Sequence, residues 1–421
     1  MKAVIQAGGL GSRMGELCRD IPKPLVEICG KSLLEHQIEA LKKEGITDFV
    51  IVTGHLGQKI QEHLGDGEKY GVNISYYRES EPLGTGGALF RLGLEEDFLF
   101  VNGDLVFDID VSSMLNFHKS RNALATVFAH PNSHPYDSLV LSADKEGRVV
   151  ELLGKDEKPT FYPNLCNAGI EIVSPKLLEL CGMREKADFD RDILSCGVGS
   201  GRVYAYRSAE YVHDAGTPSR LAQAQKDILS GKVAAGNRKN LQKAVFLDRD
   251  GTLNVHKGYI TDPDETELTE NSAKAINIMH SLGYLVIVVT NQPVIARGDC
   301  TEKRLNEIHN RLEMLLSQEG AYLDGIYYCP HHPDKGYEGE VAELKIPCSC
   351  RKPEAGMLFK AQRDFNIDLS ASFMVGDSVA DVTAGKKAGC TSVLIGNHEE
   401  ESCNVCESVY DFCVRFLCEK K

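Results

Sequence analysis

The sequence predicts an α/β protein of two domains, each built around a mostly parallel sheet. The chain has 421 residues, enough for about two or three domains of 100 to 200 residues. Two segments begin alike, with a short β-type run that leads into a loop of special residues. In the first, residues 2–7 precede Gly8 and Gly9; in the second, residues 243–247 precede Asp248. Apolar helical stretches then alternate with β-branched stretches, which is typical of βαβ units.

The first half shows one helix and two strands most clearly. A helix is predicted where apolar residues recur at helical spacing, namely at Leu33, Leu34, Ile38 and Leu41. A buried strand follows over residues 49–53, and a further strand over residues 98–101 leads to Asp104. This order predicts that Asp104 lies at the carboxyl end of a strand, which is the ligand-binding edge of such sheets.

The second half repeats the alternation of helix and strand. One helix is predicted from Ala273, Ile276, Ile278 and Met279, and another from Leu305, Ile308, Leu312 and Leu315. Strands are predicted over residues 284–290 and 372–375. Between the halves, residues 231–243 contain four basic residues, two glycines and no acid. We therefore predict a first domain over 1–230, a linker over 231–242, a second domain over 243–396 and a C-terminal tail over 397–421.

Composition and charge restrict the function. With 42% hydrophobic and 26% charged residues, the chain has the composition of a globular protein rather than a disordered one. The 47 basic and 61 acidic residues give a net charge of −14, and the excess of acid is shared by both halves. Because neither half is basic, we expect no nucleic-acid partner. A homo-oligomer is left open.

The chain start and the cysteines predict a cytoplasmic protein. The first residues are apolar for only a short run before two glycines, so no signal peptide is expected. No stretch reaches the roughly 20 apolar residues that span a bilayer, so no membrane partner is expected. The 14 cysteines are scattered along a long chain, which favours free thiols in a reducing compartment.

Several motifs of the first half suit a phosphate ligand. The loop over residues 8–13 follows a strand, so its backbone amides can approach phosphate oxygens, although a plain tight turn is the alternative. Lys23 stands between two prolines, which present its ammonium rigidly. Residues 82–87 form a glycine-rich turn that can pack against a flat base. Asp104 is suited to Mg²⁺, which takes one or two carboxylates together with substrate phosphates.

Taken in order, these motifs resemble those of the sugar-1-phosphate nucleotidylyltransferases, over roughly residues 1–230. Further matching motifs are Glu157-Lys158-Pro159, Asn167-Ala168-Gly169 and His213-Asp214-Ala215-Gly216-Thr217. The resemblance implies a Rossmann-like, glycosyltransferase-A-like fold. It implies nucleoside triphosphate binding by Gly8, Gly9, Gly11, Ser12, Arg13 and Lys23, base contacts by Gly84, Thr85 and Gly86, sugar phosphate binding by Lys158 and Asn167, and Mg²⁺ binding by Asp104 and Asp214.

The implied reaction needs no protein nucleophile. The sugar 1-phosphate oxygen would attack the α-phosphorus and expel pyrophosphate, with Arg13, Lys23 and Mg²⁺ neutralising charge. Taken singly, Lys158 could be a solvated lysine and Asp214 a helix N-cap. Many relatives have a large aromatic residue before the second metal aspartate, where this chain has Val212 and His213; the departure leaves the metal role intact and bears only on the sugar pocket.

The second half carries two aspartates, Asp248 and Asp250, at the end of a predicted strand. An extended backbone places both on one side, where they can divide nucleophilic and acid/base work. The DxDGT pattern resembles that of the haloacid-dehalogenase-type phosphatases, with Rossmannoid fold. Thr290, Lys352, Asp377 and Asp381 match the remaining motifs of that family in order.

The resemblance assigns roles to these residues. Asp248 would attack the phosphoryl group, and Asp250 would protonate the leaving alcohol and then activate water. Mg²⁺ would lie on Asp248, Asp377 and the carbonyl of Asp250, while Thr290 and Lys352 would hold the transferred group. Asp381 is expected to order the loop rather than to bind the metal.

A cysteine-rich loop predicts a structural zinc site. Cys329, His331, Cys348 and Cys350 supply three thiolates and an imidazole, a set suited to tetrahedral Zn²⁺. His332 is an alternative ligand. The site would fold the long loop that leads to Lys352.

Residues 243–396 look most like the D-glycero-D-manno-heptose 1,7-bisphosphate 7-phosphatases and the related histidinol phosphatases. That resemblance rests on motifs such as VTNQ at 289–292 and RKP at 351–353. It makes Tyr259, Asn291, Arg297 and Arg351 candidate substrate contacts. Pro293-Val294 and Ser378 depart from the usual pattern, so the phosphatase class is better supported than its substrate.

The two resemblances together predict a bifunctional enzyme of heptose biosynthesis. The phosphatase would remove the 7-phosphate of the α-1,7-bisphosphate, and the transferase would couple the 1-phosphate to GTP. The product, a GDP-heptose, would serve a surface polysaccharide such as lipopolysaccharide, an S-layer glycan or a capsule. Alternatives are another sugar and nucleotide pair, a histidinol-phosphatase-like activity, and a non-catalytic regulatory binding protein.

Overall fold

The structure, a computed structural model, describes residues 1–9, 12–396 and 404–419, except for the side chains of Ser12 and Arg13. The chain forms two compact units. The first comprises residues 1–130, 141–153 and 167–238, and the second comprises residues 131–140, 154–166 and 239–421, within the described ranges. No helix of the described residues is long and apolar enough to cross a membrane.

The first 238 residues contain the following elements. The strands are β1 (Ala3–Gln6), β2 (Glu27–Ile28), β3 (Lys31–Ser32), β4 (Asp48–Thr53), β5 (Asn73–Arg78), β6 (Phe98–Asn102), β7 (Leu105–Asp108), β8 (Ala125–His130), β9 (Val140–Ala143), β10 (Val149–Leu153), β11 (Cys166–Val173), β12 (Val203–Arg207) and β13 (Tyr211–Asp214). The helices are α1 (Leu33–Lys43), α2 (Gly57–Leu64), α3 (Val111–Ser120), α4 (Pro175–Cys181), α5 (Ser195–Val198), α6 (Pro218–Leu229) and α7 (Lys232–Ala235).

The main sheet of this part has the order β10-β9-β11-β6-β1-β4-β5, with β8 and β12 attached beside β11. Strands β5, β4, β1 and β6 are parallel, whereas β11 runs antiparallel to β6. The side chains of β4, β1 and β6 are almost all buried, as expected for strands covered by helices on both faces, whereas those of the edge strand β5 are mostly exposed or half-buried. Strand β1 lies between β4 and β6, and the strand order reverses at this point. The crevice at the carboxyl end of β1 is therefore the expected ligand site.

The remaining residues contain the elements of a second sheet. The strands are β14 (Lys243–Leu247), β15 (Tyr284–Asn291), β16 (Gly325–Cys329), β17 (Phe373–Gly376), β18 (Thr391–Ile395) and β19 (Asn404–Cys406), and the helices are α8 (Ser272–Ser281), α9 (Glu302–Gln318), α10 (Gly356–Phe365), α11 (Val379–Ala388) and α12 (Val409–Phe412). The order is β16-β15-β14-β17-β18-β19, and every pair is parallel. The carboxyl end of β14 is therefore the topological switch point of this sheet.

The predicted α/β class with two sheets is confirmed, and the predicted helices and strands agree with α1, β4, β6, α8, β15, α9 and β17 within a few residues. Two segments contain more structure than expected. The linker segment includes α7, because Val233 packs against the apolar cluster beneath α6. The tail segment includes β19 and α12, because Cys406, Val409 and Phe412 are buried against Phe373.

Candidate active sites

The first candidate site is a cavity of about 810 Å³ at the carboxyl ends of β1 and β6. Its lining contains Gly8, Gly9, Lys23, Gly84, Thr85 and Asp104, all of which the sequence predicted as site residues. Gly11 lies outside the described residues. The backbone of Ser12 and Arg13 opens a 3-10 helix, Ser12–Cys18, but their side chains are not described.

The glycines of this cavity are required by close approach. A Cβ on Gly84, where φ is +82°, would lie 2.4 Å from the carbonyl oxygen of Ala187. A Cβ on Gly86 would lie 2.6 Å from Ile193 Cδ1, so this glycine packs against the interior rather than lining the cavity. Thr85 Oγ1 accepts a hydrogen bond from the backbone N–H of Phe189 at 2.8 Å. These contacts fix the predicted base turn to the segment that follows Ala187.

Charged side chains lie at one end of the cavity. Lys23 is 9% exposed and forms an ion pair with Asp104. Asp214 ends β13, which pairs antiparallel with β7 so that Asp214 stands opposite Leu105, next to Asp104 in the chain. A Cβ on Gly216 would lie 2.5 Å from Asp214 Oδ1 and 3.0 Å from Lys23 Nζ. Three of the predicted residues, Lys23, Asp104 and Asp214, therefore form one cluster.

Two predicted sugar-phosphate residues are engaged elsewhere. Lys158, in the second unit, donates hydrogen bonds to the carbonyl oxygens of Ser138 at 2.9 Å and Gly154 at 3.2 Å. Asn167 donates to Asp190 Oδ1 at 3.0 Å and is not among the residues that line the cavity. Burial raises the pKa of Asp190 to about 6. The structure thus holds both predicted side chains in internal hydrogen bonds.

Sequence reasoning missed Glu79, which follows β5 and lines the same cavity. Its Oε2 would lie 3.0 Å from a Cβ on Gly8, and its Oε1 is buried and makes no hydrogen bond to any described side chain or backbone group. Burial raises the pKa of this carboxyl. No motif includes Glu79, and only the pairing of β4 with β5 brings it beside the glycine loop.

The second candidate site lies at the carboxyl end of β14. Lys352 is 4% exposed, and its Nζ lies 2.6 Å from Asp248 Oδ1 and 2.5 Å from Asp381 Oδ1. Asp248, Asp377 and Asp381 place carboxylate oxygens within 4.8 Å of one another. Burial raises the pKa of Asp248, while the ammonium of Lys352 opposes this. The structure therefore brings the predicted nucleophile, lysine and metal carboxylate together.

Asp250 is held by a network of hydrogen bonds. Arg249, 1% exposed, donates to both carboxylate oxygens at 2.8 to 3.2 Å. Asn254 and Gln292 donate to Asp250 at 3.0 and 2.9 Å, and Gln292 also donates to Thr290 Oγ1 at 2.9 Å. Burial acts to raise the pKa of Asp250, but Arg249 and the other donors outweigh it and lower the pKa.

Sequence reasoning did not single out Arg249, Asn254 and Gln292 as site residues. Their position inside the DRDGTLN and VTNQ motifs was the available signal, because DRDGTLN follows β14 and VTNQ forms the end of the adjacent strand β15. The resemblance to the family assigned roles only to some residues of each motif. The structure shows that the neighbouring Arg249 and Gln292 orient Asp250.

Among the described residues, Asn291 is the only predicted substrate contact that bonds directly to a residue of this centre. Asn291 exchanges two hydrogen bonds of 3.0 Å with the backbone of Lys352, which fixes the loop that carries the lysine. The Arg297 guanidinium lies 4.6 Å from the ring centre of Tyr259, which is 53% exposed, and also stacks on Tyr337 at 4.4 Å. Arg351 donates to the carbonyl oxygen of His331 at 3.1 Å.

The predicted zinc ligands form one cluster within the second unit. Cys329, His331, Cys348 and Cys350 place ligand atoms within 4.8 Å of one another. The three sulfur pairs are 3.2 to 3.5 Å apart, slightly shorter than the roughly 3.8 Å edge of a tetrahedron with Zn–S bonds of about 2.3 Å. The alternative ligand His332 faces Asp334 instead.

Two α/β units, one with a glycine-lined cavity that ends in Lys23 and carboxylates and one with paired aspartates around a buried lysine, define an enzyme with two phosphate-handling centres. Comparison with known proteins gives the families. The profile of the Nucleotidyl transferase family matches residues 2–231, and the HAD-hydrolase-like profile matches residues 349–412. The chain belongs to the nucleotidyl transferase family.

The C-terminal half matches a second family. The D-glycero-beta-D-manno-heptose-1,7-bisphosphate 7-phosphatase of Pasteurella multocida (strain Pm70) is 45% identical over 155 residues, which cover 37% of this chain and 82% of that protein. The chain therefore also belongs to the family of these phosphatases, and it is a bifunctional enzyme that joins a nucleotidyltransferase to a phosphatase.

Two solved structures resemble the separate halves. HddC from Yersinia pseudotuberculosis is 26% identical, with 54% of this chain and 99% of that chain covered and a TM-score of 0.46. The D,D-heptose 1.7-bisphosphate phosphatase from B. bronchiseptica, complexed with magnesium and phosphate, is 32% identical, with 42% and 99% covered and a TM-score of 0.37. Because both scores are below 0.5, the family assignments depend on the profiles and the curated relatives.

Proposed function

We propose that the phosphatase removes the 7-phosphate of D-glycero-α-D-manno-heptose 1,7-bisphosphate, and that the transferase couples the resulting 1-phosphate to GTP. The products are phosphate, pyrophosphate and GDP-heptose. The observation that carries the proposal is the presence of both families on one chain. A phosphatase that leaves a sugar 1-phosphate makes the class of substrate that a sugar nucleotidyltransferase consumes.

The arrangement around Asp248 supports the phosphatase step. A carboxylate oxygen of Asp248 attacks the phosphorus, the bond from phosphorus to the sugar oxygen breaks, and Asp250 gives its proton to that oxygen. Water then attacks the phosphorus of the aspartyl phosphate while Asp250 takes a proton from the water, the bond from phosphorus to the Asp248 oxygen breaks, and inorganic phosphate leaves. Lys352 lies 2.6 Å from the attacking carboxylate, where its charge balances the transferred group.

Asp250 changes protonation during this cycle. Without substrate, Arg249 and two amide donors keep its pKa low, so it stands ready as a base. A phosphate dianion beside Asp250 favours the protonated carboxyl, because like charges disfavour the ionised form. The same side chain can therefore serve as acid in the first step and as base in the second.

Mg²⁺ fits the phosphatase site on the chemistry of the donors. Asp248 and Asp377 offer carboxylates and Asp250 its backbone carbonyl, and oxygen ligands are those that Mg²⁺ prefers. The metal would neutralise phosphate charge. Asp381 also lies within reach, but it pairs with Lys352 and bonds to Ser378 at 2.6 and 3.0 Å, which supports a role in ordering the loop.

The cavity of the first unit supports the transferase step. An oxygen of the sugar 1-phosphate attacks the α-phosphorus of the nucleotide, and the bond to pyrophosphate breaks. Lys23 is placed to neutralise charge at the end where Asp104 lies. Mg²⁺ fits Asp104 and Asp214, because both are carboxylates at paired strand ends and Asp214 Oδ1 is buried with no hydrogen bond to the described residues.

Zinc fits the cluster of Cys329, His331, Cys348 and Cys350, because the cluster offers four donors of the types that bind this metal. Three thiolates and one imidazole complete a closed tetrahedral site of the structural kind. Cys350 directly precedes Arg351 and Lys352, so the metal would fix the start of the loop that carries the catalytic lysine. The 13 described cysteines form no disulfide, which supports the proposed cytoplasmic location.

One experiment tests the proposed order of steps. Purified full-length protein receives the α-1,7-bisphosphate, Mg²⁺ and each nucleoside triphosphate in turn, and phosphate and pyrophosphate are measured separately. Phosphate release without nucleotide is expected, and pyrophosphate should follow only afterwards and mainly with GTP. Asp248→Asn should abolish both products from the bisphosphate, whereas Asp104→Asn should abolish only pyrophosphate. Pyrophosphate release that does not require prior dephosphorylation would overturn the consecutive order.

Two further substrates belong in the same assay. The curated relatives are named for the β-anomer, so the β-1,7-bisphosphate is the second candidate phosphatase substrate. Faster phosphate release from the β-anomer, with no pyrophosphate from its product, would separate the two activities. Histidinol phosphate tests the related phosphatase activity, and equal rates on it would overturn the assignment to heptose.

A further inference from the structure

The transferase site contains an arginine that no motif includes. Arg220 Nη1 donates a hydrogen bond to Asp214 Oδ2 at 2.6 Å. Only one carboxylate oxygen is engaged, since Asp214 Oδ1 makes no hydrogen bond to the residues that the structure describes. The neighbouring Asp104 is paired in the same way with Lys23. Both proposed metal ligands therefore carry a side-chain cation.

The position of Arg220 on its helix is electrostatically unfavourable. Helix α6 begins after the N-cap Thr217, whose hydroxyl accepts a hydrogen bond from the Arg220 N–H at 3.3 Å. Arg220 thus lies in the first turn, where the helix dipole disfavours positive charge, and that turn contains no acid. The carboxylate of Asp214 stabilises the guanidinium at this position. Because a positive charge in the first turn of α6 is otherwise unfavourable, we infer that Arg220 has a role at the site.

Charge balance indicates what happens when ligands bind. The two carboxylates and the two cations sum to zero, so this cluster of four side chains carries no net charge. A divalent cation on Asp104 and Asp214 competes directly with Lys23 and Arg220. Their release leaves two side-chain cations beside the metal, where a nucleoside triphosphate and a sugar phosphate bring several negative charges.

We propose that Arg220 is a positioning residue that holds Asp214 until the divalent cation binds, and that its guanidinium then contacts the phosphate of the sugar 1-phosphate. The inference rests on the proposed transferase function. The guanidinium is suited to this second role because it presents a fork of donors that matches phosphate geometry. Lys23, on the Asp104 side, remains for the nucleotide.

The first test measures metal binding without any reaction. Mn²⁺ is titrated into substrate-free, full-length protein carrying Asp377→Asn, which removes the proposed phosphatase metal site, and free Mn²⁺ is followed by electron paramagnetic resonance. Arg220→Gln should bind Mn²⁺ about threefold to tenfold more tightly, the effect of removing a partly exposed ion pair. Arg220→Lys should lie between Arg220→Gln and the unsubstituted protein. Unchanged or weaker binding would overturn the competition.

The second test measures where activity is lost. At saturating Mg²⁺, Arg220→Gln should raise the KM for the sugar 1-phosphate about tenfold or more, with a smaller change for the nucleotide, and Arg220→Lys should restore part of the loss. An unchanged KM for the sugar phosphate would overturn the phosphate contact. Arg191→Gln, at a side chain that is 79% exposed, is the matched control and should change neither measurement.

The design separates this proposal from the proposed function. A denaturant titration of Arg220→Gln reports whether the unit that carries the substitution is folded, and the phosphatase activity shows that the other unit is unaffected. If the unsubstituted protein releases no pyrophosphate with heptose 1-phosphate and any nucleotide, the proposed transferase substrate is wrong. The Mn²⁺ titration still decides, in that case, whether Arg220 competes with the metal.

Discussion

Gly251→Ala separates backbone strain from damage to the phosphatase site. Gly251 has φ of +83°, which costs a residue with a side chain about 1 to 2 kcal/mol. A Cβ at this position would lie 2.1 Å from Asp377 Oδ2, whereas ordinary contact begins near 3.4 Å. The Asp377 carboxylate must therefore move by about 1 Å, and a displacement of that size can lower the rate about 100-fold.

Gly389→Ala is the matched control. Gly389 has φ of +87° and ends α11 in the same unit, but no atom lies within 4 Å of its added Cβ. Both variants should lose about 1 to 2 kcal/mol of unfolding free energy, measured by denaturant titration. Only Gly251→Ala should also lose about 100-fold in phosphatase kcat, while its transferase activity stays near normal. Phosphatase rates within a factor of two for the two variants would refute the reasoning.

Four further predictions concern single side chains. Lys352→Met leaves buried carboxylates unpaired and should lower the unfolding free energy by about 3 to 5 kcal/mol in denaturant titrations, besides abolishing phosphate release. Cys348→Ser should lower bound zinc, measured by mass spectrometry of the intact protein, and reduce phosphatase activity, whereas Cys390→Ser should leave zinc unchanged. Glu79→Gln should change the ratio of GTP to UTP turnover about 10-fold or more, because a carboxylate accepts from the donor edge of guanine and is repelled by carbonyl oxygens; an unchanged ratio contradicts this. Burial and nearby Arg249 lower the pKa of His309 to about 3, so below about pH 6.5 the unfolded chain binds a proton at this residue that the folded chain does not bind. His309→Phe should therefore remove about 1.4 kcal/mol per pH unit of the loss of unfolding free energy between about pH 6.5 and 3. Equal slopes of unfolding free energy against pH for the variant and the unsubstituted protein would contradict this.

The phosphatase centre was largely predictable because its chemistry is written in short motifs at strand ends. Asp248, Asp377 and Lys352 lie in motifs that can be recognised in a single sequence. Strands β14 and β17 are neighbours in the sheet, so the residues that follow them, Asp248 and Asp377, lie close together. The roles of Arg249 and Gln292 were harder to predict, because they depend on contacts between the carboxyl ends of two neighbouring strands, β14 and β15. The network on Asp250 depends on atoms of two segments that are far apart in the sequence, residues 249–254 and Gln292.

The transferase site shows where sequence reasoning loses resolution. Lys23, Asp104 and Asp214 converge as the motifs predict, because β7 and β13 pair. Glu79 is placed at the site by the register of β5 on β4, and Arg220 by the position at which α6 begins. Neither feature can be recognised as a motif in the sequence. Lys158, in contrast, lies in a recognised motif, yet the structure satisfies its ammonium with backbone carbonyls.

The segments outside the predicted domains follow the same rule. Helix α7 is only four residues long, too short for a periodic pattern, and its placement depends on packing against other elements, including that of Val233 on the apolar cluster beneath α6. Strand β19 is three residues long, and its pairing with β18 extends the parallel sheet. Short elements are fixed by the surface that receives them, and that surface is not visible in local sequence.

One carboxylate, that of Asp381, belongs both to the end of a helix and to the phosphatase centre. It accepts hydrogen bonds from the backbone and hydroxyl of Ser378, which caps α11, and it pairs with Lys352. Such a cap is worth about 1 kcal/mol to the helix. A substitution of Asp381 that altered the specificity for phosphate esters would therefore also destabilise the start of α11. Changes of substrate during evolution are expected at outer residues such as Tyr259 and Arg297 instead.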